Sequence, residues 1–130
     1  MENELIPIKH LYWLAALIEG EGYIGIIRRK TDGIYSGNKL LRIDINMTEE
    51  DVIRSIYTKF KMGTVLGPYK PSGTSKKFIY RWSLNDQKQV AGLLMTIYPL
   101  MGRRRQERIR EALYAWREYP YNYRRLSIYR

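Results

Sequence analysis

Residues 14–26, LAALIEGEGYIGI, constrain the fold more than any other stretch of this chain. Leu11, Leu14, Leu17 and Ile18 recur at helical spacing, with Tyr12 and Trp13 adding bulk, so a helix is predicted from His10 to Glu21. Gly20 and Gly22 punctuate its end, and from Tyr23 to Lys30 the chain turns apolar and β-branched, as a strand does. Two carboxylates, Glu19 and Glu21, are threaded between those glycines. Backbone carbonyls already make the closing end of a helix negative, so an acid there loses roughly 0.3–1 kcal/mol. A solvated surface pair is the plain reading. Against it, the helix is apolar nearly all round, Gly20 removes a side chain between the acids, and Gly22 permits close approach. A bound divalent cation would offset both the dipole and the repulsion. Oxygen ligands with room for water suit Mg²⁺.

The rest of the pattern supplies an architecture. TDGIYSGN (31–38) reads as a turn-rich connection, followed by a second strand, Leu40–Met47. In that strand Arg42, Asp44 and Asn46 alternate with Leu41, Ile43, Ile45 and Met47, the period of a sheet buried on one face. Thr48 is placed to cap a second helix carrying Val52, Ile53, Ile56, Tyr57 and Phe60. Gly63–Tyr69 reads as a short strand, PSGTS as a turn, and Lys77–Leu84 as a fourth strand. Asn85 or Asp86 can cap a third helix to about Tyr98, and a last helix runs from about Gly102 to Glu118. The order α-β-β-α-β-β-α-α predicts one α+β domain over residues 1–118, an antiparallel sheet with helices on one face. Residues 119–130 form a basic, aromatic tail.

Charge narrows the class of partner. The chain has 23 Lys+Arg against 13 Asp+Glu, a net +10, and its last 28 residues hold nine Arg and three Glu. Such an excess points to a polyanion, nucleic acid before an anionic membrane. The last helix argues against the membrane, because Glu107, Glu111 and Glu118 interrupt it and no strong lipid-facing stripe is present. Cysteine is absent, which excludes a disulfide scaffold and fits an intracellular, reducing setting such as a bacterial or phage cytoplasm or an organelle. The N-terminus MENELIPIKH begins acidic and has no apolar core, unlike a signal peptide. No Ser–His–Asp arrangement, zinc spacing or phosphate-cradling loop occurs, and His10 reads as a capping or surface residue.

LAALIEGEG resembles the nine-residue signature of the LAGLIDADG homing endonucleases, in one copy and at the N-terminal position of single-motif members. Leu14, Ala15, Leu17, Ile18, Glu19, Gly20, Glu21 and Gly22 carry the likeness; Ala16 replaces the usual Gly, and both acids are Glu. The resemblance implies an αββαββα core with a saddle-shaped antiparallel sheet. It implies a homodimer in which two motif helices pack side by side through Leu14, Ala15, Ala16, Ile18 and Glu19. It also implies Mg²⁺ or Mn²⁺ at Glu21 and Gly20, with Glu19 bracing or capping the helix. INMTEED corresponds to the segment that supplies a polar residue near the attacking water, with Asn46 and Glu49 as candidates. YPLMGRRRQERI resembles the basic stretch before the last core helix. There Arg104 is the best match to an active-site cation, with Arg103 or Arg105 as alternatives. An arginine at that place stabilises phosphate charge or orients water, since it cannot accept a proton near neutrality. Plain phosphate binding is an equal use for the cluster.

The resemblance thus implies metal-dependent hydrolysis of double-stranded DNA at a long, near-palindromic site, by an enzyme of a mobile intron or free-standing element. Two-stranded ribbons fit the major groove. Arg29, Arg42, Asp44, Asn46, Lys77, Arg81 and Ser83 have the chemistry to read it, with Arg taking guanine, Asn adenine and Asp cytosine. Arg103 and Arg105 suit phosphates. The alternative on the same scaffold is a non-catalytic DNA- or RNA-binding maturase or regulator, with intron RNA as a possible partner. Glu21 speaks against it, because a mere binder has no use for a charge that repels phosphate.

Overall fold

Alternation along the second strand decides which way the sheet faces. Leu41, Ile43 and Ile45 are fully buried, and Trp82 and Leu84 of the neighbouring strand join them on the same side. Helices cover that side. Their inward residues Leu14, Ile18, Ile53, Ile56, Val90, Leu94, Ile97, Ile109 and Trp116 complete one core. Each large aliphatic side chain so buried contributes roughly 1.5–3 kcal/mol.

A computed structural model of the chain describes residues 5–31, 34–71, 73 and 76–117. Its elements are α1 (Ile8–Glu21), β1 (Gly22–Thr31), β2 (Ile34–Met47), α2 (Glu50–Phe60), β3 (Thr64–Tyr69), β4 (Ile79–Leu84), α3 (Gln87–Ile97) and α4 (Arg103–Arg117). A 3₁₀ turn at Tyr98–Leu100 joins the last two helices. The sheet is antiparallel throughout, in the order β1-β2-β4-β3. This is the α+β arrangement that the sequence predicts. No helix among the described residues is long and apolar enough to cross a membrane.

Several boundaries differ from the sequence reading. α1 begins at Ile8, directly after Pro7, whose fixed φ suits a helix entry. Much of TDGIYSGN is strand, because Lys30 pairs with Tyr35 and Thr31 with Ile34; Asp32 and Gly33 lie outside the described residues. Within PSGTS, Ser72, Thr74 and Ser75 also lie outside them, as does the tail with Glu118. Thr48 does not cap α2: Glu49 stands at that position, and the Thr48 hydroxyl donates to the Glu49 carboxylate at 3.0 Å instead. β4 begins at Ile79, so Lys77 precedes the strand. The capping role of Asp86 holds, its carboxylate accepting from the Gln89 N–H at 3.1 Å.

Two residues lock the core to the sheet in ways periodicity cannot reveal. Gly63 has φ +85°, and a Cβ there would stand 2.5 Å from the indole nitrogen of Trp82, which donates to the Met62 carbonyl. Gln87 completes the ladder where β4 runs out. Its Oε1 accepts from the Leu41 N–H at 2.7 Å, and its Nε2 donates to the Leu41 carbonyl at 3.0 Å. Gln87→Ala strands both backbone groups and is expected to destabilise the chain by about 2 kcal/mol in urea unfolding. Gln87→Glu should also destabilise, because a carboxylate cannot donate to the carbonyl.

Candidate active site and nucleic-acid interface

The end of α1 separates its two acids. α1 runs into β1 at Gly22, where a Cβ would stand 2.8 Å from both Cα and O of Ile18, so close approach excludes a side chain. Two residues apart on a helix, Glu19 and Glu21 point about 200° away from each other. Glu19 turns inward. Its Oε1 accepts from the Gly102 N–H at 2.8 Å, and Gly102 opens α4, its carbonyl accepting from Gln106. The acid ill placed on α1 is therefore well placed at the positive end of α4. Arg105 adds a second tie, its Nε donating to the Glu19 backbone carbonyl at 3.2 Å. Glu19 braces its own chain. Glu19→Ala is expected to cost about 1–2 kcal/mol in denaturant unfolding, and Glu19→Gln less, since an acceptor remains.

Glu21 faces outward. It lines an open cleft of about 300 Å³ with Asn46, Met47, Thr48, Glu49 and Ile79. The pairing of Gly22 with Ile45 sets the end of α1 beside the end of β2, so Glu21 of LAALIEGEG meets Asn46 and Glu49 of INMTEED here. The donors are two carboxylates and a carboxamide, all hard oxygen ligands. Among the described residues no group of three or more His, Cys, Asp or Glu assembles, so one chain offers an open site and not a cage. Mg²⁺ and Mn²⁺ tolerate that, because they retain water and take phosphate oxygens. Gly20 is exposed just before Glu21, with nothing within 4 Å of where a Cβ would stand.

The arginines of α4 divide by helical phase. Successive residues stand about 100° apart, so Arg103, Arg104 and Arg105 cannot all face α1. Arg105 does. Arg103 is exposed. Arg104 lines a groove with Tyr23, Ile24, Arg105, Glu107, Arg108 and Glu111, and is not among the residues lining the Glu21 cleft. Sequence reasoning missed Arg108. Its Nε donates to the Ile24 carbonyl at 2.8 Å, covering the outer edge of β1. Its spacing of three from Arg105 was the available signal.

The outward face of the sheet gathers most of the predicted readers. Asn46 pairs across β2 and β4 with Arg81, and Asp44 with Ser83. Arg81 Nε donates to Asn46 Oδ1 at 2.7 Å, and its guanidinium lies 5.4 Å from the Tyr69 ring centre. Asp44 is 4% exposed: Ser83 Oγ donates to its Oδ1 at 2.6 Å, and Arg42 Nε lies 3.0 Å from Oδ2 as an ion pair without hydrogen-bond alignment. Lys77 is exposed ahead of β4. Arg29 lies in β1, and its side chain falls outside the described residues. Tyr69 was not anticipated; an exposed aromatic on a strand was its only mark.

The surface of α1 differs from expectation. Leu14, Ala15 and Ile18 are 0%, 3% and 0% exposed, so they belong to the core of their own chain and cannot touch a second copy. The sheet takes that face. Besides Lys9 and Glu21, what remains exposed is a line at every fourth residue: Ile8, Tyr12, Ala16 and Gly20. Ile8 and Tyr12 are 64% and 54% exposed.

Comparison with known proteins finds the same architecture at low identity. The meganuclease I-SmaMI, bound to an uncleaved DNA target in the presence of calcium ions, matches 98% of this chain and 46% of its own, with a TM-score of 0.62 and 13% identity. The archaeal intron-encoded homing endonuclease I-Vdi141I, complexed with DNA, matches 92% of this chain and 78% of its own, at TM-score 0.57 and 12% identity. The homing endonuclease I-CvuI, with uncleaved DNA and Mg, gives TM-score 0.57 and 13% identity over 76% of this chain; the match spans only 60% of that protein. No family model and no curated protein sequence matches. The chain has the LAGLIDADG homing-endonuclease fold, an αββαββα order around a four-stranded antiparallel sheet.

Proposed function

We propose that this chain is a site-specific DNA endonuclease which, as a homodimer joined through α1, cuts both strands of a long, near-palindromic site in the homing of an intron or mobile element. One observation carries the reading: the cleft that joins Glu21, Asn46 and Glu49 opens beside a sheet face bearing Arg42 and Arg81. Glu21 and Glu49 would hold Mg²⁺ or Mn²⁺, with Gly20 at the same helix end. Such a metal, when bound, supplies Lewis-acid stabilisation and a more acidic water. Asn46 orients water through its amide. Arg104 and Arg105, on the first turn of α4, add positive charge toward phosphate, and Arg103 extends it. A two-fold dimer calls for a target with matching symmetry.

Incubation with Mg²⁺ and a randomised duplex library tests the reading. Double-strand cuts should accumulate at one near-palindromic sequence. DNA retained without cuts, in Mg²⁺ or Mn²⁺, would make the chain a non-catalytic binder such as a maturase or regulator. A library neither cut nor retained would overturn both.

A further inference from the structure

We infer that the outward sheet face reads guanine at two positions of each half-site, with Asp44 as a positioning residue and not a base reader. The inference rests on the DNA-binding reading above and goes beyond it to the bases. A guanidinium carries donors only, so the atom that meets Arg81 Nε at 2.7 Å has to be the oxygen of Asn46. That fixes the amide, with Oδ1 toward Arg81 and the NH₂ turned elsewhere. Reading adenine needs this oxygen to accept from the N6 amino group while the NH₂ gives to N7. Here an adenine amino group would meet the Arg81 cation. Cytosine fares no better, because Asp44 is 4% exposed and its oxygens face Ser83 and Arg42.

What the face leaves for a base is donor-rich. Arg81 donates from Nε to Asn46, Arg42 is held beside Asp44 by charge alone, and among the described residues no hydrogen bond or ion pair engages their terminal nitrogens. The Tyr69 ring beside Arg81 restricts its swing. A guanidinium held in this way presents a fork that matches the O6 and N7 acceptors of guanine, the one base with two acceptors on its major-groove edge. Pre-ordering the fork lowers the entropy lost on binding. Arg42 and Asn46 are four residues apart on β2, about 13 Å along the strand. The two guanines should therefore lie roughly three to four base pairs apart. The Arg81 position falls nearer the cut, since Asn46 also lines the Glu21 cleft.

A binding selection from a randomised duplex library in Ca²⁺, run on the full chain and on Arg42→Ala, Arg81→Ala, Asn46→Ala and Asp44→Asn, tests this. The parent should enrich guanine about tenfold or more at two positions per half-site. Arg81→Ala should flatten the inner position and Arg42→Ala the outer. Asn46→Ala should weaken the inner guanine without changing its identity, and Asp44→Asn should weaken the outer one. Adenine at the position that Asn46→Ala flattens, or cytosine at the one that Asp44→Asn flattens, would overturn the inference. Enrichment that none of the four variants alters would do the same while leaving DNA binding intact. A parent that enriches nothing would remove the DNA-binding reading itself. Asn46 is exposed, so its variant carries the test if Asp44→Asn does not fold.

Discussion

Glu21→Gln is expected to lower DNA cleavage at least about a thousandfold while target binding and folding persist. The magnitude is that of losing an anionic metal ligand, several kcal/mol of transition-state stabilisation, at about 1.4 kcal/mol per factor of ten. Stability should hold or rise slightly. Glu21 is exposed at the last residue of α1, and removing an anion from a helix C-terminus returns roughly 0.3–1 kcal/mol. Binding should tighten at low salt, because a charge that repels phosphate is gone. Cleavage rates under saturating DNA, read beside a urea melt, separate these effects. Equal cleavage by parent and variant would place the chemistry on another residue.

Ala16→Asp should convert the dimer to monomer and reduce cleavage by more than a hundredfold, with the monomer fold intact. The outer line of α1 passes from large to small, Ile8 and Tyr12 followed by Ala16 and Gly20, so a second helix can approach closely only near the acids. A carboxylate at residue 16 would meet its own copy across a two-fold axis in a drying interface, where an unpaired charge costs several kcal/mol. Within one chain the position is exposed, so the variant loses only helix propensity, below about 0.7 kcal/mol. Mass measurement at working concentration, with and without DNA, reads the outcome. A parent that is monomeric in both, or a variant that stays dimeric, would remove α1 as the joining surface.

The two acids illustrate what a local pattern can and cannot carry. Periodicity placed Glu19 and Glu21 at the end of an apolar helix, and physical chemistry marked both as costly there. It could not separate them. Glu19 finds its partner 83 residues on, at the start of α4, a contact that no local pattern encodes. Asp44 went the other way. Alternation put it on the outward face, correctly, but Ser83 across the sheet and Arg42 two residues back on β2 bury it there. An outward strand position is not the same as an exposed one, and the two differ wherever long polar side chains lie flat over a sheet.

The same distinction runs through the whole chain. Element order, the inward face of β2 and the wet face with Arg42 and Asn46 followed from local periodicity and turn chemistry, while the candidacy of Glu21 and Glu49 was implied by the family resemblance of LAALIEGEG and INMTEED. These are properties that neighbours in sequence determine. Which α4 arginine meets α1, which face of α1 stays open, and which polar groups are already spent on one another were decided by packing. Leu14, Ala15 and Ile18 illustrate the reason. A helix apolar nearly all round has no unique inner face until a sheet is laid against it, and only then does the remaining line through Ala16 and Gly20 become the surface left for a partner.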